Sequence, residues 1–475
     1  GAISINDSVV ITGGVTFTLN SESDDDDIGA NVTITGDITA TAANANLTID
    51  AGNGDVTLGT DGNGDVIGNG TQRFGVLTIT TDGTVGGSDG DVEINSSITA
   101  NRVLIGGDGS GSDEPDAVNF DGAINLSDAG AGATVLGVTA HSISFQNAAT
   151  ITVLTDDDVV LNGDGEAANT DTLTIGTGAI SVGGSFIVGS IDDFGGGASL
   201  GANIDADVAN AGGNEIDFNG TNITLTQNVT LSTDPDASGN GGDISLAGVD
   251  ASGAASGETL TLNAGDVGNI TVTGLLGGTN RLGLVSVEAA NNVDFSNNTG
   301  GTHQVAGLLV GVDSLTLGAG TETPVDTFDA LDAINSTEAV RIVTNSVNAG
   351  AGVAITLNGI TTSGDSVALV AAEDIDLDAA IDSAGGVGTL LIRTLNTNTA
   401  IGLGSDRAGS EGGANAGLFL DDTSVGFIDG SGFGLVQIGQ NEQNTVTVDL
   451  TTGSLGFAVD TIFDVDGTSG STSDG

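Results

Sequence analysis

Short runs in which apolar and polar residues alternate recur along the chain. Val32-Thr33-Ile34-Thr35, Ile38-Thr39-Ala40, Leu47-Thr48-Ile49 and Val56-Thr57-Leu58 open the series, and Leu173-Thr174-Ile175, Ile223-Thr224-Leu225, Ile270-Thr271-Val272 and Val446-Thr447-Val448 continue it. Period two with leucine and β-branched residues on one side marks a strand buried on one face. The runs are too short for a hairpin-rich sandwich. No convincing amphipathic helix interrupts them, and residues 326–342 come closest to one.

The runs are grouped. A module of strand, Gly or Ala, short strand, variable loop and strand runs from Val32 to Ala40 and on to Leu47–Ala51. It returns from Asp243 to Ala251 with Leu260–Ala264, and from Ala354 to Thr362 with Val367–Ala371. Glycine between strands permits the positive φ of a corner, so each module can wind about an axis and stack on the next. The expected fold is all-β, a parallel β-solenoid (right-handed β-helix). At roughly 20–25 residues per coil it makes about 20 coils and a rod on the order of 100 Å long.

A longer repeat overlies this rhythm. Thr71-Gln72-Arg73-Phe74-Gly75-Val76-Leu77-Thr78-Ile79 returns as Thr279-Asn280-Arg281-Leu282-Gly283-Leu284-Val285-Ser286-Val287, and Leu47–Gly52 returns as Leu260–Gly265. The chain therefore reads as solenoid block 1 over 1–210, a continuous duplicated block 2 over 211–463, and a flexible Gly/Ser/Asp tail over 464–475. Ile3, Ile5, Val9, Val10 and Ile11 begin pairing-competent sequence almost at once, with no visible cap. An uncapped solenoid either continues in a longer protein or meets another copy of itself. The opening Gly1 suggests a processed or excised piece.

Composition narrows the function. With 64 acidic and 6 basic residues, a net charge of -58, the chain repels nucleic acid and anionic membranes and attracts divalent cations. Period-two order argues against disorder despite that charge. Absence of Cys removes disulfides and thiolate chemistry, and no apolar run is long enough to insert in a membrane. Aromatics are 3%, all Phe, so the core is a thin one of Val, Ile, Leu and Ala.

These modules, and the segment from Ala416 to Gly439, make the chain resemble the giant repetitive surface proteins of Gram-negative bacteria. Those are the filamentous-haemagglutinin-like exoproteins and autotransporter-type passengers. The resemblance covers most of the chain and implies a right-handed parallel β-helix at an extracellular or bacterial cell-surface location. The amino-terminal secretion domain of two-partner exoproteins is not recognisable.

Acidic loops carry the best chemical signal. Asp61, Asn63 and Asp65 have the alternate spacing of oxygen ligands in a calcium loop, as do Asp234, Asp236 and Ser238; Asp108 and Ser110 lead a third acidic stretch. All lack the bidentate Glu of an EF-hand, so plain Asp/Gly turns are the competing reading. Asp24–Asp27 and Asp156–Asp158 are charge runs expected to project into solvent as loops. His141 and His303 lack the spacing of a zinc motif, and His141, beside Ile143-Ser144-Phe145, reads as a surface or coil-edge histidine. Arg73 and Arg281 are expected to form a repeated structural salt bridge with nearby aspartates.

No catalytic constellation stands out, so the chain is read as not an enzyme. The leading function is a secreted structural solenoid that associates end to end, as a homopolymer, into an extracellular fibre or surface layer stabilised by Ca2+. Its contacts would be with copies of itself and with cell-surface or matrix partners. The alternatives are an adhesin stalk whose binding tip lies elsewhere and a polysaccharide-active β-helix enzyme.

Overall fold

The computed structural model describes residues 1–464 except 22–28, 43, 61–63, 71, 82–89, 107–113, 129–132, 147–148, 165–169, 190–193, 210–211, 219, 238–239, 255–256, 296–299, 313, 316–321, 323, 346–352, 396–399, 405–416, 429–431, 441–445 and 450–459. Contacts divide the chain into two compact units, Gly1–Ala247 and Gly248–Gly475.

In the first unit each coil offers one strand to each of three parallel ladders. The first ladder stacks Ile3–Ile5, Val32–Ile34, Val56–Leu58, Val92–Ile94, Ala117–Phe120, Ser142–Phe145, Thr172–Ile175, Ala198–Leu200 and Ile223–Leu225. The second begins with Val9–Ile11 and Ile38–Ala40 and passes through the first half of Ser97–Gly106 to Ile151–Val153 and Val229–Ser232. The third begins with Thr16–Asn20, Asn46–Asp50 and Phe74–Thr80 and runs to Ile244–Leu246.

Register explains the core. Because each strand pairs in parallel with its counterpart one coil on, inward residues stack on inward residues. Leu58, Ile94, Phe120, Phe145, Ile175 and Leu200 form one such column and are all buried. Phe120 and Phe145 stack with ring centroids 5.0 Å apart and planes 5° apart. Thr, Ser and Asn at the intervening positions face outward, as the alternation requires.

The second unit uses the same plan. One ladder runs Leu260–Asn263, Leu282–Ala289, the end of Thr302–Val310, Val340–Val343, Val367–Ala371, Thr389–Thr394, Leu435–Gly439 and Thr461–Asp464. A second runs Ile270–Val272, Asn292–Asp294, Thr327–Ala330 and the starts of Val353–Thr362 and Asp374–Ser383. Residues 326–342 hold three strands, Thr327–Ala330, Ala333–Ser336 and Val340–Val343, rather than a helix. The α-helix among the described residues is Asp422–Gly426, with the Asp421 side chain accepting from Ser424 N at 2.7 Å as its cap. It falls inside the Ala416–Gly439 segment, which carries no helical period. Thr461–Asp464 is a strand, so regular structure reaches the first residue assigned to the tail; 465–475 lie outside the described residues.

In Val340–Val343 and Val367–Ala371 every residue is buried, so both sides of this ladder are covered. Val312 joins Leu309, Val343 and Val370 in a buried cluster, with Leu284, Leu315 and Leu395 packed against it. That is why these strands read as unbroken apolar runs.

The fold is a parallel β-solenoid of about 14 turns, fewer than the 20 expected. Successive coils are separated by 24 to 36 residues where their flanking aspartates and asparagines bond across the rungs. Coils longer than the 20–25 residues expected account for the smaller number.

Candidate functional site

The acidic loops are organised by a device that no motif announced. Ser21 Oγ donates to Ala30 O at 2.5 Å, Thr81 Oγ1 to Gly90 O at 3.2 Å and Thr233 Oγ1 to Gly242 O at 2.7 Å. Each buried hydroxyl reaches a carbonyl nine residues on and so ties together the two ends (the neck) of the segment between them. Of the calcium candidates, Asp61, Asn63, Asp108, Ser110 and Ser238 lie outside the described residues. Asp65 Oδ2 accepts the Thr60 amide at 2.9 Å, closing its own turn. Asp234 is buried while Asp236 is exposed, and Ala237 between them and the neck has φ 54°.

The Asp156–Asp158 run is not a solvated loop. Asp157 is buried, takes the Thr155 hydroxyl and the Asp128 amide at 3.2 Å, and lies 3.4 Å from the Ala133 amide. Asp156 Oδ1 accepts from Asn214 Nδ2 at 3.0 Å and Asp158 Oδ1 from the Ser185 amide at 2.8 Å. Three successive carboxylates thus tie their coil to its neighbours. Burial pushes the Asp158 carboxyl up, the Ser185 amide opposes this, and Asp156 and Asp157 add to the rise. Asp24–Asp27 lie outside the described residues.

The arginines are structural too, by a different route from the expected ion pair. Arg73 Nη1 donates to Ala100 O at 2.9 Å and to Asn125 O at 3.0 Å. Arg281 Nη1 does the same to Val305 O at 2.7 Å and Asn335 O at 3.0 Å. Each guanidinium bridges carbonyls of the next two coils, so the duplication conserves a geometry as well as letters. The glycine two residues on fits this too. Its amide bonds Ala45 O or Glu258 O, and a Cβ would lie 2.2 Å from Asn46 Oδ1 at Gly75 or 2.1 Å from Gly257 O at Gly283. Elsewhere Arg102 pairs with Asp128, while Arg393 and the buried Arg341 converge on Glu322. Every described arginine is thus held in a structural contact.

The two histidines part company. His303 is buried; its Nδ1 accepts the Leu276 amide at 3.1 Å and its Nε2 lies 3.3 Å from Phe295 O, the pattern of a neutral ring. Burial lowers its pKa from the ordinary 6.5.

His141 sits at the edge of the first ladder, where a rung of polar residues precedes each strand. In that rung Asn31 Nδ2 donates to Asp55 Oδ2 at 2.9 Å and the Asp91 amide to Asp55 Oδ1 at 3.2 Å. Ser142 pairs with Thr172, which sets His141 beside Asp171 one coil on. The coil-edge reading of His141 holds, with its side chain 40% exposed, but it is not alone. Nδ1 lies 2.8 Å from Asp171 Oδ1 and 3.4 Å from Asp164 Oδ2. Asp164 arrives from the return after the third-ladder strand Asp158–Asn162, and its amide bonds Asp171 Oδ2 at 2.8 Å.

Among the described residues this is the one group of three His or carboxylate side chains whose ligand atoms all lie within 4.8 Å of one another. Asp171 is 1% exposed, and its carboxyl is pushed up to about 6, first by burial and then by the charge of Asp164. Sequence reading missed Asp164 and Asp171. The usable signal was alignment of His141-Ser142-Ile143-Ser144-Phe145 with Asp171-Thr172-Leu173-Thr174-Ile175, which puts an acid and an imidazole on one rung.

Among the described residues no helix is long and apolar enough to cross a membrane. The fold and its repeats define a β-helix repeat protein. No family model, curated protein or solved structure matches the chain.

Proposed function

We propose that the chain is a structural β-solenoid of an extracellular bacterial surface, of the filamentous-haemagglutinin-like or autotransporter-type kind, and that copies join end to end into a fibre or layer. One observation supports this reading: inward side chains of the coil Ile3–Asn20 stand uncovered on the side away from the coil that follows, a seat for a preceding stretch of the same protein or for another copy. Phe17 occupies the same inward column as Leu47 and Leu77, which are fully buried, yet it is 38% exposed. Ile3, Ile5 and Val9 are likewise only partly buried above Val32, Ile34 and Ile38, which are fully buried. Phe463, in the column of the buried Ile438 in the last described strand, is 39% exposed.

A further coil laid in register would bury these side chains and pair the edge amides and carbonyls. A contact between two different ends does not close on itself, so it propagates as a filament. The occupant proposed is another copy. Calcium held by carboxylates of the acidic loops relieves the repulsion among 64 acidic side chains and stabilises the assembly.

Electron microscopy of the purified chain tests this. Fibres are expected, strengthened by calcium beyond sodium at equal ionic strength, and lost on deletion of residues 1–12 while β-sheet circular dichroism is retained. Single particles from the intact chain, or fibres unchanged by the deletion, would refute self-association and leave the open column to more of the same chain.

A further inference from the structure

We infer that His141, Asp164 and Asp171 form a binding site for a single late first-row transition metal ion, of which zinc is the type case. The inference is independent of fibre formation. The donor set is one imidazole nitrogen and two carboxylate oxygens. Imidazole suits zinc and its neighbours, whereas calcium and magnesium take oxygen. Three protein ligands with a remaining position for water is a known zinc arrangement.

The geometry fits before any ion is added. Ligand atoms about 2.0–2.1 Å from a tetrahedral zinc stand roughly 3.3 Å from one another. Nδ1 of His141 is 2.8 Å from Asp171 Oδ1 and 3.4 Å from Asp164 Oδ2, so side-chain adjustments of a few tenths of an ångström would open the set around an ion. An ordinary His–Asp pair would account for one of these approaches; the second carboxylate is held beside it by the hydrogen bonds of Asp164 to the Asp171 carboxyl.

A second observation points into the same spot. Asp171 Oδ1 is fully buried and accepts no hydrogen bond, although the ring nitrogen lies 2.8 Å away. The nitrogen is close, yet the pair does not have hydrogen-bond geometry. The other oxygen, Oδ2, is fixed by the Asp164 amide at 2.8 Å, which orients the carboxylate and ties the return bearing Asp164 to the rung. The His141 amide and carbonyl are pinned as well, by Pro115 O at 3.0 Å and the Thr172 amide at 3.0 Å. All three ligands therefore sit on backbone that the solenoid holds, while the 40% exposed ring leaves a path for the ion.

The test is equilibrium zinc binding to the full chain in excess calcium, which saturates oxygen-only sites. One zinc per chain is expected, with displacement by cobalt giving the strong visible absorption of a tetrahedral ion. His141→Gln, at a half-exposed position that does not threaten folding, should abolish both signals, and Asp171→Asn should weaken them. Fibre formation should not change, so failure here is separate from failure of self-association. Zinc uptake that is equal in the intact chain and in H141Q, or a cobalt complex with only the pale spectrum of an octahedral oxygen site, would overturn the assignment.

Discussion

Replacing Arg73 with Met removes a guanidinium whose Nη1 bonds Ala100 O and Asn125 O, and keeps most of the aliphatic stem. Hydrogen bonds to a charged group contribute about 1.5–3 kcal/mol each. Arg73 is only partly buried, so the lower end applies and the pair sums to about 3 kcal/mol. A long repeat array need not unfold in one step, so a melting temperature is a poor reporter. Native-state hydrogen exchange reads the opening of each rung instead.

At 1.4 kcal/mol per tenfold, amides of Ser97–Gly106 and Ile124–Leu126 should exchange roughly 100-fold faster in R73M. The amides of Phe186–Val188, which lie coils away, should be unchanged. Arg281→Met should do the same to Thr302–Val310 and Ala333–Ser336, because its two bonds are equivalent. A change under about fivefold, roughly 1 kcal/mol, would show that the bridging bonds contribute little. A change spread evenly over the unit would show that they do not act on single rungs.

Two further predictions concern protons and loop necks. Burial raises the carboxyls of Asp91, Asp158, Asp171, Asp205, Glu215, Asp329 and Asp376, so their stabilising form is the protonated one and is lost as pH rises through the folded-state value. For Asp171 that window lies between 3.8 and about 6. His303 opposes, losing stability as pH falls below 6.5. Denaturant unfolding in chelator should therefore show greater resistance at pH 5 than at pH 7, by about 1–2 kcal/mol from Asp171 alone, and a fall instead would refute the burial argument. Thr233→Val leaves the Gly242 carbonyl without its buried hydroxyl donor and should cost about 1–2 kcal/mol. Limited proteolysis should then cut faster within residues 234–241, and an unchanged rate would mean the neck is closed by other contacts.

The strands were legible because their cause is local. Val32-Thr33-Ile34 and Val56-Thr57-Leu58 alternate because one face of each is buried, and both are strands in the structure. Strands with two covered sides, such as Val367–Ala371, lose the alternation but remain apolar. The number of coils was not legible, because it depends on how much of each return leaves the core, and composition does not mark that boundary. The cluster of His141, Asp164 and Asp171 was hidden for the same reason. His141 and Asp171 meet through register and Asp164 through the path of a return, so no spacing within one segment encodes the set. Asp156–Asp158 misled in the opposite direction: a run of acids looks solvated until its hydrogen-bond donors on other coils are known.

The clamps at Ser21, Thr81 and Thr233 separate what changes from what must not. Past the Thr233 clamp, Pro235 and Asp236 are exposed and can be rewritten without touching an inward residue. Such a scaffold behaves like a shelf with fixed brackets: exposed positions can vary while the interior column is kept. Foreign peptides grafted at these necks would be displayed at intervals fixed by the coil, which makes the chain a ruler on which the spacing of exposed epitopes can be chosen.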